Sequence, residues 1–584
     1  MRKINWKKIF SVVIGFLWLG LLFYTRLINL NWGLPYPMHP DERNIAESVT
    51  GLSCLTEGIF LKIKDCFNPH FFAYGQLSLY LSYGMSLFLK FFNGNLSSPI
   101  SFIEAVFSLR LISALASIIN FFVILKIISL LNKLSFNDYL LIAPLLIFSP
   151  FFIQFSHFGT TESLLMLFYS LIFYFSLVLI EEKNGKKFSR LIFILSLISG
   201  LSSATKISSI IFWVPVFLVI IYAAKIKFRK KYKKIFSHCL LFCVSTVFFT
   251  IIFSPHNLIS FTDFMASLNY ESAVATGKIK AFYTKQFDQS IPIIFQLVKI
   301  FPFALGYPVF FLGIFGLLFL NWRDEKVNLL RFFFIIYFLP AAFLYAKWTR
   351  FMAPIFPLIL ILAILIIFKI KTAVLKNKKR IFFVPIFIFG YLFLLLQGIA
   401  FLTIFTNEDV RFVASKWIYK NLPTNSFILS ETANVIDIPV KPPNYSSAPK
   451  SYRYISFNFY NLDEDLSLQL SLNHYLSQAD FIIIPSRRVF LNYYCPVKEN
   501  NWLIEILSGY FPGRCKKVRQ EYPLVNRYYD QLFAEKLGFK KLVEFRHFPK
   551  ISFFGKTLFE FNDELAEETH TVFDHPVIRI FKRI

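Results

Sequence analysis

The sequence predicts a polytopic α-helical membrane protein of about eleven spans, followed by a small α/β domain on the outer side. Three observations predict it. The 584 residues are 56% hydrophobic and 19% aromatic, with a mean hydropathy of +0.55, which excludes an ordinary soluble protein of this size. Apolar runs of near-spanning length recur along the first two thirds of the chain. The formal net charge of +27 is concentrated in short Lys/Arg clusters between those runs. That makes it a topology signal, with no nucleic-acid partner expected, and a source of attraction to anionic membrane lipid.

Met1–Lys8 is short and basic, and Ile9–Leu30 is too long for a signal-peptide core and lacks a small-residue cleavage site. It reads as a retained first span. A long loop, residues 31–110, follows. Within it Gly75–Phe92 is nearly long enough to cross, and the basic loops decide against crossing. With Gly75–Phe92 on the surface, the clusters Lys183–Arg190 and Lys225–Lys234 both fall inside; with it crossing, both fall outside.

The remaining spans are then Leu111–Leu131, Tyr139–Ile153, Leu164–Ile180, Leu191–Ala204, Ile207–Ala224, Ile235–Ser254, Ala304–Leu320, Leu329–Ala346, Phe351–Phe368 and Ile381–Thr403. This places the N-terminus in the cytoplasm of a multi-pass plasma-membrane protein. Residues 31–110, 255–303 and 406–584 share the outer side. Residues 1–405 form the membrane domain and 406–584 the outer one.

The outer domain is polar and mixed. Val410–Asn421 and Asn526–Leu537 read as helices, and Phe427–Ser430, Phe481–Ile484, Lys541–Phe545 and Val577–Phe581 as strands. Cys54 with Cys66, and Cys495 with Cys515, are expected disulfides if that compartment oxidises thiols. Cys239 and Cys243 read as small membrane residues.

The chemistry is sought where polar groups meet the outer face. Met38-His39-Pro40-Asp41-Glu42-Arg43 follows the first span, and Asp41 is positioned to cap a helix running through Ala46. Asp41 is the candidate catalytic base and Glu42 its catalytic supporting partner; the bland reading is a solvated loop. Glu162 opens a span, as a helix-start carboxylate would. Lys206 is a lone cation between two spans, costly unless paired or snorkelling. Arg350 opens another span, where it reads equally as an interfacial anchor.

Carboxylates and cations on one face suit deprotonation of a hydroxyl and departure of a phosphate. No resident cofactor is expected. A divalent metal held by His256 and Glu271 would need a third ligand that the sequence does not identify.

At these residues the chain resembles the membrane glycosyltransferases that use polyprenyl-phosphate sugars, the GT-C group containing protein O-mannosyltransferases and the aminoarabinose transferase. The resemblance spans roughly residues 9–420. It rests on His39-Pro40-Asp41-Glu42, Asn68 to Leu77, Arg110 to Leu115, Thr160-Thr161-Glu162-Ser163, Ala204-Thr205-Lys206, Ser254-Pro255-His256-Asn257 and Arg350 to Pro357. It implies an inverting transfer of a sugar to an acceptor hydroxyl of a protein, lipid or glycan. Asp41 would be the base, Lys206 would approach the lipid phosphate, and Tyr74, Glu162, His256 and Arg350 would bind substrate.

The chain departs from the family in three places. Glu162 stands where the family has Asp, Gly75 and Gln76 stand where it has prolines, and the Glu-Lys pair of the aminoarabinose branch is missing. A transporter and a non-catalytic lipid-binding protein are the competing readings; a transporter predicts inverted repeats, and no repeat is evident.

Overall fold

The computed structural model describes residues 6–52, 65, 67–228, 232–377, 380–443, 445, 449–499 and 501–584. Among these, nine helices are long and apolar enough to cross a membrane, and two bent helix pairs bring the number to eleven if each pair is one span. The polytopic helical class is borne out, together with a C-terminal region built on a sheet. The candidate spans are Phe10–Leu27, Phe102–Leu131, Phe136–Ile147 with Pro150–Ser156, Glu162–Glu181, Gly185–Thr205, Ile207–Phe228, Tyr232–Phe253, Gln296–Leu305 with Tyr307–Phe319, Glu325–Phe343, Thr349–Lys376 and Ile381–Thr406.

The tenth, Thr349–Lys376, is the axis. Its apolar window is 94% buried, as expected of a helix that is hydrophobic all round. The first and last spans are only 17% buried in theirs and turn Phe16, Phe382 and Phe389 outward, which lipid makes favourable. Gln76–Phe92 is a helix of 17 residues, shorter than a span of ~20. Its serine face packs on Phe102–Leu131, with Ser86 bonded to Ser108 at 2.8 Å.

The expected span Tyr139–Ile153 is broken by 58°, and the expected span Ala304–Leu320 is preceded, across a bend of 117°, by helix Gln296–Leu305, most of which the sequence reading places in the outer loop 255–303. In the first, Pro150 has no N–H to continue the ladder and disfavours helix in the residue before it. The carbonyls freed at Leu146 and Ile147 accept from the buried Arg26 guanidinium, both at 3.0 Å. In the second, Gly306 adopts φ +85°, a left-handed value that suits glycine, and Gln397 accepts from Tyr307 N at 3.0 Å. Hydropathy runs straight through the first break, which explains why it reads as one span in the sequence.

After Thr406 the chain forms a five-stranded sheet of order β2-β1-β3-β7-β4 and a separate hairpin, β5-β6. Their bounds are β1 Phe427–Glu431, β2 Arg453–Phe457, β3 Phe481–Ile484, β4 Phe539–Phe545, β5 Lys550–Phe553, β6 Lys556–Glu560 and β7 Ile578–Arg583. β1 lies parallel to β2 and β3, and β7 antiparallel to β3 and β4. The continuous apolar runs of β1 and β3 are buried throughout, as central strands covered on both faces require.

β2 and the hairpin were not expected from sequence, and the expected helix Asn526–Leu537 is instead Pro523–Phe533. Pro523 suits a first helical turn, and Glu535 at φ +58° ends any continuation. Cys495 and Cys515 are bonded, with Cα atoms 5.4 Å apart; the Cys54–Cys66 expectation lies outside the described residues.

Candidate functional site

The acidic stretch forms the start of helix Pro40–Thr50. Pro40 occupies the first helical position, so the cap falls to His39, whose side chain accepts from Glu42 N, and Asp41 sits inside the first turn. The expectation that Asp41 caps this helix is therefore corrected. Anionic Asp41 and Glu42 both favour a helix N-terminus, but they point to different places.

Glu42 turns inward. Arg110 grips it with two bonds of 2.7 Å, and Gly159 N donates to it at 2.7 Å. Arg110 also donates to the carbonyls of Leu30 and Trp32 and stacks on the Trp32 ring. Side-chain exposure is 3% for Glu42 and 0% for Arg110, so this is a sealed ion pair linking the first loop to the second span. Gly159 belongs to it, because a Cβ there would meet Glu42 Oε1 at 2.8 Å.

Asp41 faces a small polar cavity, with room for about 20 Å³ as the chain stands, shared with Glu162, Arg350 and Gln154. Its Oδ2 pairs with Arg350 Nη1, and no protein donor hydrogen-bonds its Oδ1 among the described residues. Arg350 lies over the Trp348 ring at 4.6 Å, and its Nε finds no partner among the described residues. Lys347 nearby is spent on the carbonyls of Leu344 and Tyr345, so Arg350 is the cation that reaches the cavity.

Glu162 opens the fourth span beneath this pair and is buried. Lys206 Nζ lies 3.9 Å from its Oε1. Lys206 occupies the one extended residue between the fifth and sixth spans, with its ammonium 5.0 Å from the Tyr74 ring and 5.5 Å from that of Phe351. The loop holding Tyr74 is pinned from behind. Gly75 N donates to Thr205 O at 2.9 Å, and a Cβ on Gly75 would come within 2.1 Å of Ala204 O. The small residue and its N–H thus fix Tyr74 against Lys206.

Gln76 continues this anchor, accepting from His256 N at 2.9 Å and donating to Asn257 Oδ1 at 3.1 Å. His256 is buried in that contact and does not line the cavity. Glu271 lies on helix Phe261–Thr276. Among the described residues no group of three or more His, Cys, Asp or Glu side chains is placed to hold a metal.

The cavity has contributors that sequence reasoning missed. His39 lines it, its ring between those of Phe158 and Phe573 at 4.8 and 4.3 Å. Burial first, then the fields of Arg350, Arg110, Arg488 and Arg411, hold His39 well below its ordinary pKa. Each of these arginines is paired with a carboxylate, Arg350 with Asp41, Arg110 with Glu42, Arg488 with Glu568 and Arg411 with Asp409.

Thr569 and Phe573 come from the C-terminal domain. Their segment is clamped to the membrane domain by Glu567, which accepts from Thr349 N and Oγ1 at 3.0 and 2.9 Å, and by Gln154, which donates to His570 O at 2.8 Å. No local signal marks that segment, since its meaning lies in bonds to residues hundreds of positions away.

Residues 100–252 match the family described as dolichyl-phosphate-mannose-protein mannosyltransferase. That stretch contains Arg110, Glu162 and Lys206 but neither Asp41 nor Arg350. No curated protein sequence matches the chain.

Among solved structures, one similar chain is the archaeal oligosaccharyltransferase AglB from Archaeoglobus fulgidus, in complex with an inhibitory peptide and a dolichol-phosphate. It is 12% identical with a TM-score of 0.47, and the match covers 84% of this chain and 71% of that one. Another is ArnT from Cupriavidus metallidurans bound to undecaprenyl phosphate, 11% identical with a TM-score of 0.45, covering 82% of this chain and 94% of that one.

Proposed function

We propose that the chain is an inverting glycosyltransferase that moves a sugar from a polyprenyl-phosphate carrier to an acceptor hydroxyl at the outer membrane face. The observation that carries the reading is one cavity joining the Asp41 carboxylate to Arg350, with Lys206 beside Glu162 at its edge. The partial family match and the motif resemblance support the donor class, with a mannosyl donor as the first to test.

In the proposed step the acceptor O–H proton passes to Asp41 Oδ1 as the acceptor oxygen bonds to the anomeric carbon. The bond from that carbon to the phosphate oxygen breaks, and the lipid phosphate leaves with the electron pair. Arg350 and Lys206 neutralise it, and stabilisation that grows with the developing charge accelerates the step. A single displacement inverts the anomeric centre. Tyr74 and Glu162 hold Lys206, and His256 supports that loop from behind. Residues 1–405 form the transferase domain in this reading, and 406–584 an outer domain that walls the site.

The test is transfer by purified protein offered a panel of radiolabelled polyprenyl-phosphate sugars; no transfer and no binding of any donor would overturn the reading. Lys206→Ala is expected to weaken donor binding at least tenfold, measured by titration of the same donor. An unchanged donor affinity would remove Lys206 from the phosphate site.

The orientation rests on the basic loops. With the C-terminal domain outside, a cysteine replacing exposed Ser477 reacts with a membrane-impermeant thiol reagent on intact cells, and one replacing exposed Lys186 does not. The reverse labelling sinks the topology.

A further inference from the structure

A second cavity, of about 240 Å³, lies against the segment that walls the first. It opens where the second bent span breaks at Gly306, between the eighth and eleventh spans and the C-terminal domain. Irregular backbone at membrane depth is tolerated where it is buried in protein or lines a cavity, and both breaks obey this. The break at Pro150 delivers Gln154 to the first cavity, and the break at Gly306 delivers Tyr307 to the second.

Two buried polar groups on its wall lack protein partners among the described residues. His570 is 2% exposed and its Nδ1 is unbonded; Asp563 is 3% exposed and its Oδ1 is unbonded. Such groups cost free energy unless something else satisfies them. Asn562 and Gln397 add amides to the wall. Most of the remaining wall is aromatic, with the Phe401 ring 5.6 Å from that of His570 and Phe303 5.6 Å from Tyr307.

The charge pattern limits the ligand. Burial lowers the His570 pKa to about 4, so it supplies no cation. His575 sits between Asp563 at 2.9 Å and Asp574 at 2.6 Å. Burial works against its charge, yet Asp574 and Asp563 raise it to about 10. Two carboxylates thus share one imidazolium, and Glu560 adds another acid at the wall. Among the described residues no Lys or Arg lines the cavity, so an anion finds no cation there. Hydroxyls, which both donate and accept, suit a wall that mixes amides, an imidazole and a carboxylate oxygen.

We propose that this second cavity is a carbohydrate subsite, taking a neutral sugar ring against the Phe401 and Tyr307 rings with its hydroxyls bonded to His570, Asp563, Asn562 and Gln397. The subsite goes beyond the transferase reading and stands without it. It is also joined to the first cavity, because Gln154 lines one and bonds the backbone of His570, which lines the other.

The test uses the full chain in nanodiscs with no donor present, so its outcome is independent of transfer. Saturation-transfer NMR is recorded with mannotriose and chitotriose, and with spermine and a sialylated trisaccharide as charged probes. At least one neutral trisaccharide is expected to bind, and its affinity to fall tenfold or more in both His570→Phe and Asn562→Asp. The second variant keeps an oxygen that accepts from Glu564 N, removes the amide donor and adds a negative charge beside Asp563. The proposal is overturned by no neutral sugar binding, by a charged probe binding in its place, or by affinity unchanged in both folded variants, which would assign the sugar to the first cavity.

Discussion

Asp41→Asn is expected to lower the single-turnover transfer rate about 10²–10⁴-fold, the contribution of a positioned general base, while donor affinity stays close to wild type. The amide keeps the size and the acceptor oxygen of the carboxylate but cannot take the acceptor's proton. The substitution also removes the charge that Arg350 pairs with. Both side chains are about one fifth exposed, at 21% and 19%, so water reaches the pair, unlike the sealed Glu42–Arg110 pair at 3% and 0%. The protein therefore remains folded, and Arg350, released from Asp41, is still available to the phosphate. Rapid-quench measurement with excess enzyme reads the chemical step, and equilibrium titration reads donor binding. A rate within a few-fold of wild type would show that Asp41 is not the base.

The sequence made Asp41 legible through local chemistry: a proline that starts a helix, two acids in its first turn, and an apolar run that puts them at the membrane surface. The same reading gave Glu42 a supporting role beside Asp41 but could not show what holds it. Their difference is set by Arg110, 68 residues on, and by Gly159, 117 residues on. Glu162, Lys206 and Arg350 were visible as charges at span ends, where hydrocarbon makes an idle charge costly. That Lys206 meets Tyr74 depends on Gly75 lying against Thr205, which no single segment reveals.

For the fold, eleven apolar runs were readable because bilayer thickness fixes their length. The breaks at Pro150 and Gly306 were not, because a proline or glycine inside an apolar run leaves its hydropathy nearly unchanged. The wall supplied by Thr569 and Phe573 was the least legible, since docking the last twenty residues onto the membrane domain is settled by Glu567, Gln154 and Thr349 together.

Glu42→Ala is expected to be the most destabilising single change in the site, and its failure is one of folding. It leaves the Arg110 guanidinium fully buried and without its counter-charge, and removing one partner of such a pair costs about 3–5 kcal/mol. That is a large share of the roughly 5–15 kcal/mol that holds a typical domain together. Arg110 also fixes the chain between Leu30 and Trp32, so the loop that delivers Asp41 loosens with it. The variant should give little monodisperse protein and a clearly lower melting temperature in detergent.

A second change separates this from a role in the reaction. Glu42→Leu combined with Arg110→Met removes both charges and fills their space with apolar atoms, an exchange that is often neutral for a buried pair. The double variant should recover much of the lost melting temperature, while Arg110→Met alone should resemble Glu42→Ala. If Glu42→Ala instead melts like wild type but has lost turnover, Glu42 acts in the chemistry and the ion pair with Arg110 is incidental.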